Sequence, residues 1–127
     1  MRFKAIQFTQ SKSIAHIQLQ LIELLGACIN EGASLGFYAP ANAHSLMQYW
    51  QQIEHELRQH KLTIFTVFHE QALIASAQLV PCRKQNGKHR AEIEKLLVHP
   101  EAQRQGLATK LMEAVKQFAL THHIKLL

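Results

Sequence analysis

The apolar positions change period several times along the chain, and each change marks an element. Residues 3–8 alternate weakly, as a first strand would. Ser11 or Ser13 can then cap a helix whose apolar positions are Ile14, Ile17, Leu21, Leu24, Leu25 and Cys28. That is helical spacing, and Gly32 supplies a terminator. A loop over residues 32–40 follows. Asn42 then opens a second helix with Leu46, Tyr49, Trp50, Ile53 and Leu57 on one side.

The period next shortens to that of strands. Residues 62–68 and 72–80 are rich in β-branched and aromatic residues on both faces, with a tight turn near Glu70-Gln71 between them. Strands that are apolar on both faces must be covered on both, so helices should sandwich the sheet. Asn86-Gly87 is the best hairpin turn in the sequence, and predicts that the strand ending near Cys82 pairs with one over residues 90–98. Leu107, Leu111, Met112, Val115 and Phe118 predict a third helix, and residues 124–127 begin another apolar strand. The predicted fold class is therefore mixed α/β (α+β), with a largely antiparallel sheet flanked by helices.

Composition narrows this picture. A chain of 127 residues, 47% hydrophobic, predicts one domain over residues 1–127 with a real core. No linker, internal repeat or low-complexity tract interrupts it. The first residues lack the apolar run of a signal peptide, and no apolar stretch is long enough to cross a membrane. Cys28 and Cys82 are solitary, so reduced thiols in a cytoplasmic protein are expected rather than a disulfide framework. The net charge of +5 favours polyanions. Its one cluster, Arg83, Lys84, Lys88 and Arg90, reads better as a solvated hairpin tip than as a nucleic-acid surface. Nine histidines show no HExxH and no ligand-spaced cluster, so no metal is expected.

The candidate chemistry lies between the strand ending at Val98 and the helix from Leu107. Pro100 stops the strand, and Gly106 leaves no side chain between backbone and ligand. The result is a strand-to-helix turn whose first amides have no partner and can bind phosphate. Gln103, Arg104 and Gln105 add side-chain donors. An ordinary loop with one glycine is the plainer alternative. Neither a Gly-Lys-Ser/Thr loop nor a GxGxxG is present.

Val98-His99-Pro100 followed by Gln103-Arg104-Gln105-Gly106-Leu107-Ala108 resembles the coenzyme A pyrophosphate motif of the GNAT acetyltransferase superfamily. The resemblance implies that the amides of Gln105, Gly106, Leu107 and Ala108 hold the pyrophosphate of acetyl-CoA. It also implies that the backbone of Leu96, Leu97 and Val98 pairs with the pantetheine arm as an added strand. Further stretches, at residues 31–37, 75–79 and 86–96, are similar to the tabtoxin-resistance acetyltransferases, a branch acting on a small amino-acid-like antibiotic.

Acetyl transfer needs a neutral amine held against the thioester carbonyl, with a carboxylate or histidine to take its proton. Glu92 and Glu94 alternate onto one strand face. From spacing alone, Glu92 fits a cross-strand ion pair with a basic hairpin residue better than it fits catalysis. The resemblance turns that choice toward Glu92 as general base and leaves Glu94 structural. It also places Phe37 and Tyr38, in the loop over residues 32–40, at the acceptor pocket, although a plain exposed loop aromatic is equally open for Tyr38.

The chain departs from the family after Ile124, where GNAT domains continue with further strand, a helix and a closing hairpin, and no Tyr follows Tyr49. The expectation is thus a domain lacking the C-terminal strands and helix, and an unfinished sheet edge that favours a homodimer. Two functions follow. One is N-acetyltransferase activity from acetyl-CoA onto a small amine; the other is a non-catalytic remnant that binds coenzyme A at most.

Overall fold

The computed structural model describes residues 6–32, 37, 40–82 and 89–126. One sheet carries five strands in the order β1 (Ile6–Ser11), β2 (Thr63–His69), β3 (Ala72–Pro81), β4 (Arg90–Val98) and β5 (Lys125–Leu126). Each of the first four is antiparallel to its neighbour, and β5 joins β4 in parallel. A parallel neighbour requires a crossover, and helix α3 (Leu107–Thr121) supplies it. Helices α1 (Gln18–Asn30) and α2 (Ala43–Arg58) lie between β1 and β2 in the chain. This is the predicted mixed α/β architecture.

Strands apolar on both faces are covered on both, as their sequence requires. On one face Ile64, Leu73 and Leu97 pack with Leu21, Leu25, Trp50 and Leu57 of α1 and α2. On the opposite face Phe65, Val67, Ala75, Ala77 and Leu79 pack with Leu107, Leu111 and Val115 of α3. Each fully buried Leu, Ile or Val side chain contributes roughly 1.5–3 kcal/mol relative to exposure. Gln78 and Ser76 sit buried in β3, and Gln78 turns to α2, where Tyr49 is its partner.

The helix ends divide into those that local sequence determines and those it does not. The Asn42 side chain caps α2 by accepting from the amides of His44 and Ser45, and Gly32, at φ 104°, closes the turn after α1. At the start of the first helical stretch the Ser13 hydroxyl accepts from the Ala15 amide at 3.5 Å, the role expected of Ser11 or Ser13. A 3-10 turn, Ala15–Ile17, precedes α1 without a side-chain cap at Ile14. Glu54 of α2 also reaches across to accept from the Ile14 amide and the Ser13 hydroxyl, while Arg58 donates to it at 2.6 Å. Burial favours the protonated form of Glu54, but these hydrogen bonds outweigh it and hold the carboxyl below its ordinary range.

The first strand, described from Ile6, runs on to Ser11, three residues past the predicted end at residue 8. Its polar residues Thr9, Gln10 and Ser11 pair through backbone with Thr66, Phe65 and Ile64, as an outermost strand with a polar edge can. Residues 1–5 lie outside the described residues, as do Asn86-Gly87 and the basic residues Arg83, Lys84 and Lys88. The strands that turn would join do pair, and the Cys82 amide donates to the Arg90 carbonyl at 2.8 Å. No helix among the described residues is long and apolar enough to cross a membrane.

Candidate functional site

Strand β4 carries two irregularities that together make a site. The first is a bulge. Ser76 pairs with Leu97 and Gln78 with Glu94, so Ala77 faces both Lys95 and Leu96. Lys95 takes a left-handed φ of 52° there. A bulge leaves the extra residue's backbone groups outside the ladder and re-aims the side chains beside it. The second irregularity is the short contact with β5, which pairs only with Arg90 and Ala91 among the described residues. Among the described residues, no strand pairs with β4 beyond Ala91 on the side opposite β3.

At the end of β4 the chain turns sharply into α3. The His99 amide donates to the Ile74 carbonyl at 2.8 Å, which anchors the turn to β3. The His99 Nδ1 accepts from the Glu101 amide, and a 3-10 turn, Pro100–Ala102, buries Ala102. Arg104 (φ 64°) and Gly106 (φ 76°) are both left-handed, so the backbone doubles back immediately before the helix. Gly106 stands at the N-cap with no side-chain cap, and the first helical bond runs from the Lys110 amide to its carbonyl at 3.1 Å. The amides of Leu107, Ala108 and Thr109 therefore have no partner within the helix. No acidic residue lies in this first turn.

A recess of about 240 Å³ opens over these amides, lined by Val98, Gln103, Arg104, Gly106, Ala108 and Thr109 among others. A Cβ built on Gly106 meets nothing within 4 Å and points into open space. Unpartnered amides, the positive end of α3 and an empty approach are the features a phosphate requires. The residues present thus fit a pyrophosphate.

Side chains divide the labour differently from expectation. Gln103 donates to the Val98 carbonyl at 3.1 Å, and Gln105 donates to the Glu101 carbonyl at 3.4 Å. Their amide nitrogens brace the turn's own backbone and are not directed to an anion. Gln105 Oε1 is buried without a partner. Arg104 is exposed and lines the recess. Thr109, which sequence reasoning missed, adds a residue with a hydroxyl to the lining. Its signal was present in the motif's spacing, three residues after Gly106 on the first helical turn.

The sites predicted on β4 separate by face. Leu97 is 2% exposed and packs with α1 and α2, so only its backbone is available to a ligand. Leu96, at 37% exposure, projects from the bulge, and Val98 lines the recess. The Val98 carbonyl also accepts from the Cys28 thiol at 3.4 Å, and burial pushes that thiol up from its ordinary pKa. Glu92 is exposed, opposite Val80, and forms no ion pair among the described residues.

A second cavity, of about 380 Å³, lies against α2 on the face of β4 that carries Glu94. Tyr49, Glu56, Gln78, Val80, Glu94 and Lys95 line it. Gln78 Nε2 donates to Tyr49 Oη at 2.9 Å. Burial raises the Tyr49 phenol above its ordinary pKa; the Gln78 hydrogen bond opposes this, and the Glu56 and Glu94 carboxylates add to it. Phe37 packs edge-on to Tyr49, with ring centres 5.7 Å apart. Tyr38 lies outside the described residues. A third recess, about 580 Å³, opens by the β2–β3 turn and includes His69, Glu70, His99 and Glu101. Of the sequence motif it includes His99, and none of the residues expected to hold cofactor, acceptor or proton.

Comparison with known proteins converges on one family. A sequence model of the Acetyltransferase (GNAT) family matches residues 24–127. Among solved structures, the PaiA N-acetyltransferase from Thermoplasma acidophilum, in complex with coenzyme A, superposes with a TM-score of 0.75 at 16% identity. That match covers 95% of this chain and 76% of that one. An acetyltransferase from Clostridium acetobutylicum with acetyl-CoA gives 0.66 at 16% identity, over 96% and 79% of the two chains. An aminoglycoside acetyltransferase from an uncultured soil sample, in complex with trehalose, gives 0.68 at 19% identity, over 95% and 74%. These likenesses carry the fold.

Proposed function

We propose that this chain, which belongs to the GNAT family of acetyltransferases, moves an acetyl group from acetyl-CoA to the amine of a small acceptor. The observation that carries the reading is the pairing of an open β4 edge with an uncapped, left-handed turn at its end. When bound, acetyl-CoA supplies an activated acyl group as a thioester. The amides of Leu107, Ala108 and Thr109, with those of Gln105 and Gly106, hold its pyrophosphate at the positive end of α3. Arg104 adds charge at the recess. The backbone of residues 96–98 takes the pantetheine arm as an extra strand, with the Val98 carbonyl already engaged by Gln103 and Cys28.

The bulge contributes at the reacting centre. Lys95 and Leu96 have backbone groups outside the β3–β4 ladder, and an amide there donates to a carbonyl oxygen as negative charge develops on it. Glu92, on the adjacent stretch of strand, takes a proton from the acceptor ammonium and passes it to solvent. The neutral amine then attacks the thioester carbonyl and the C–S bond breaks. The nitrogen's second proton leaves through solvent as the departing coenzyme A sulfur is protonated to the thiol. Most of the acceleration comes from holding amine and acyl group together at the open edge.

The acceptor class is the finer part of the proposal. The soil aminoglycoside acetyltransferase has been solved with sisomicin, an amine-bearing ligand. Together with the similarity of residues 31–37, 75–79 and 86–96 to the tabtoxin-resistance branch, this supports a small amino-acid-like or antibiotic-like amine. Phe37 and Tyr38 belong to the acceptor side in this reading. We also propose a homodimer formed along an open sheet edge, and a cytoplasmic setting in which Cys28 and Cys82, both free, stay reduced. A monomer by light scattering at high concentration would contradict the dimer.

Thiol release from acetyl-CoA across a panel of small amines tests the activity. Amine-dependent release that Glu92→Gln abolishes is the expected result. Release that proceeds equally in Glu92→Gln removes the assigned base, and no release with any amine overturns the function.

A further inference from the structure

The cavity against α2 carries a set of acceptors that acetyl transfer alone does not need. Its wall is formed where register, not sequence proximity, brings residues together. Gln78 stands directly opposite Glu94, and Val80 directly opposite Glu92, on the face that α2 covers. Directly opposed side chains on antiparallel strands lie about 5 Å apart at Cβ. Tyr49 reaches in from α2 to accept from the Gln78 carboxamide.

Gln78 is the informative residue. It is 3% exposed in the middle of a strand, yet it lines the cavity. Its nitrogen is committed to Tyr49, and its side chain makes no other hydrogen bond among the described residues. The rest of its carboxamide is not sealed off but opens on the cavity, where an occupant can meet it. Here the free side is a carbonyl oxygen, which can only accept. Glu94 likewise forms no ion pair or side-chain hydrogen bond among the described residues. The Tyr49 oxygen has a lone pair beside them, and burial keeps that phenol protonated. Glu56 adds a second carboxylate, and Lys95 is the one cation on the wall among the described residues.

Carboxylate, carboxamide oxygen and phenol oxygen are three acceptors facing one space. An alkylammonium has three N–H donors and no acceptor, which is the complement of that set. The position also matters. Glu92 and Glu94 are two residues apart on one strand face, about 7 Å along the strand. A cation held at Glu94 would leave the amine to be acetylated at Glu92, one spacer length away.

We propose that the acceptor is dicationic, with a second ammonium seated between Glu94, Gln78 and Tyr49 while its reacting amine lies toward Glu92. The inference rests on the acetyltransferase reading and narrows it to diamines and basic amino-acid-like amines with about that separation. Glu94 becomes a specificity-determining residue and not a second base. Its carboxylate selects the acceptor, and Glu92 handles the proton.

The test compares putrescine with n-butylamine, which differ only in the second amine, on the full chain and on Glu94→Gln. Two readouts are taken. One is kcat/KM from thiol release; the other is calorimetric affinity of each amine in the presence of coenzyme A. We expect putrescine to be preferred by about tenfold or more, an ion-pair's worth of discrimination. Glu94→Gln should raise KM for putrescine, with kcat changed far less, and bring the two amines to within about threefold of each other. A preference in binding that Glu94→Gln erases supports the inference even where no thiol is released, and in that case the transferase reading alone fails. Thiol release at equal rates for both amines, or a preference unchanged in Glu94→Gln, overturns the inference and leaves the transferase reading standing. Absence of both release and binding overturns the two together. Circular dichroism of the variant, exposed at its one changed position, confirms that the fold is retained.

Discussion

The two halves of the proposed site are made of different material. The cofactor half, from the end of β4 into α3, is contiguous in sequence and presents backbone: unpartnered amides, an open strand edge and a glycine whose missing side chain leaves an approach. The acceptor half is assembled from Tyr49 and Glu56 on α2, Gln78 on β3, and Glu92 and Glu94 on β4, and it presents side chains. A backbone site tolerates exchange of its side chains but not a change of conformation. A side-chain site behaves in the opposite way.

That contrast orders the expected effects. Glu92→Gln should lower kcat by about 10²–10⁴-fold, the usual contribution of a positioned base, with acetyl-CoA affinity unchanged by calorimetry. A comparable loss of acetyl-CoA affinity would mean that the halves are not separate. Gly106→Val should weaken acetyl-CoA binding by about 100-fold or more, because a β-branched residue resists φ 76° and fills the approach. By contrast Arg104→Ala, a side-chain loss in the same half, should cost about tenfold or less, and that cost should shrink as salt is added.

Outside both halves, Glu54→Gln should lower stability by about 1–3 kcal/mol in denaturant titration, since Glu54 accepts from Ser13, Ile14 and Arg58. The sign of its pH dependence follows from its lowered carboxyl pKa. Its contribution is fully present above the unfolded carboxylate pKa of about 4.3 and is lost as pH falls through the lower folded value. The variant should therefore lose less stability than the native chain over that acid range. The smallest effect is expected from Ser76→Ala. The Ser76 hydroxyl is buried without a partner, so its removal should leave thermal stability within about 1 kcal/mol or raise it.

The same contrast explains what the sequence could disclose. Periodicity located α2, α3 and the two-sided strands because each buries its apolar residues where the period places them. Val98, Pro100, Gly106 and Ala108 disclosed the strand-to-helix turn because a turn shaped by backbone must be written locally. The bulge at Lys95 and Leu96 was not legible, since it arises from the register against Ala77 on another strand. Nor was the pairing of Gln78 with Tyr49, separated by 29 residues. Gln103 and Gln105 were expected to face phosphate because their type allows it. Geometry instead turned their amide nitrogens onto the Val98 and Glu101 carbonyls, which a motif cannot specify. Glu94 lines the α2 cavity opposite Gln78, and Glu92 stands opposite Val80, because the register of β4 against β3 decides both.

Amide hydrogen exchange, residue by residue with and without acetyl-CoA, tests the central claim most directly, because it reads the backbone itself. New protection is expected over residues 92–98, beyond the two-residue contact with β5, and at the amides from Gln105 to Thr109, with the β2–β3 turn unchanged. Protection confined to other surfaces, or none at saturating acetyl-CoA, would contradict a cofactor held by the β4 edge and the α3 turn.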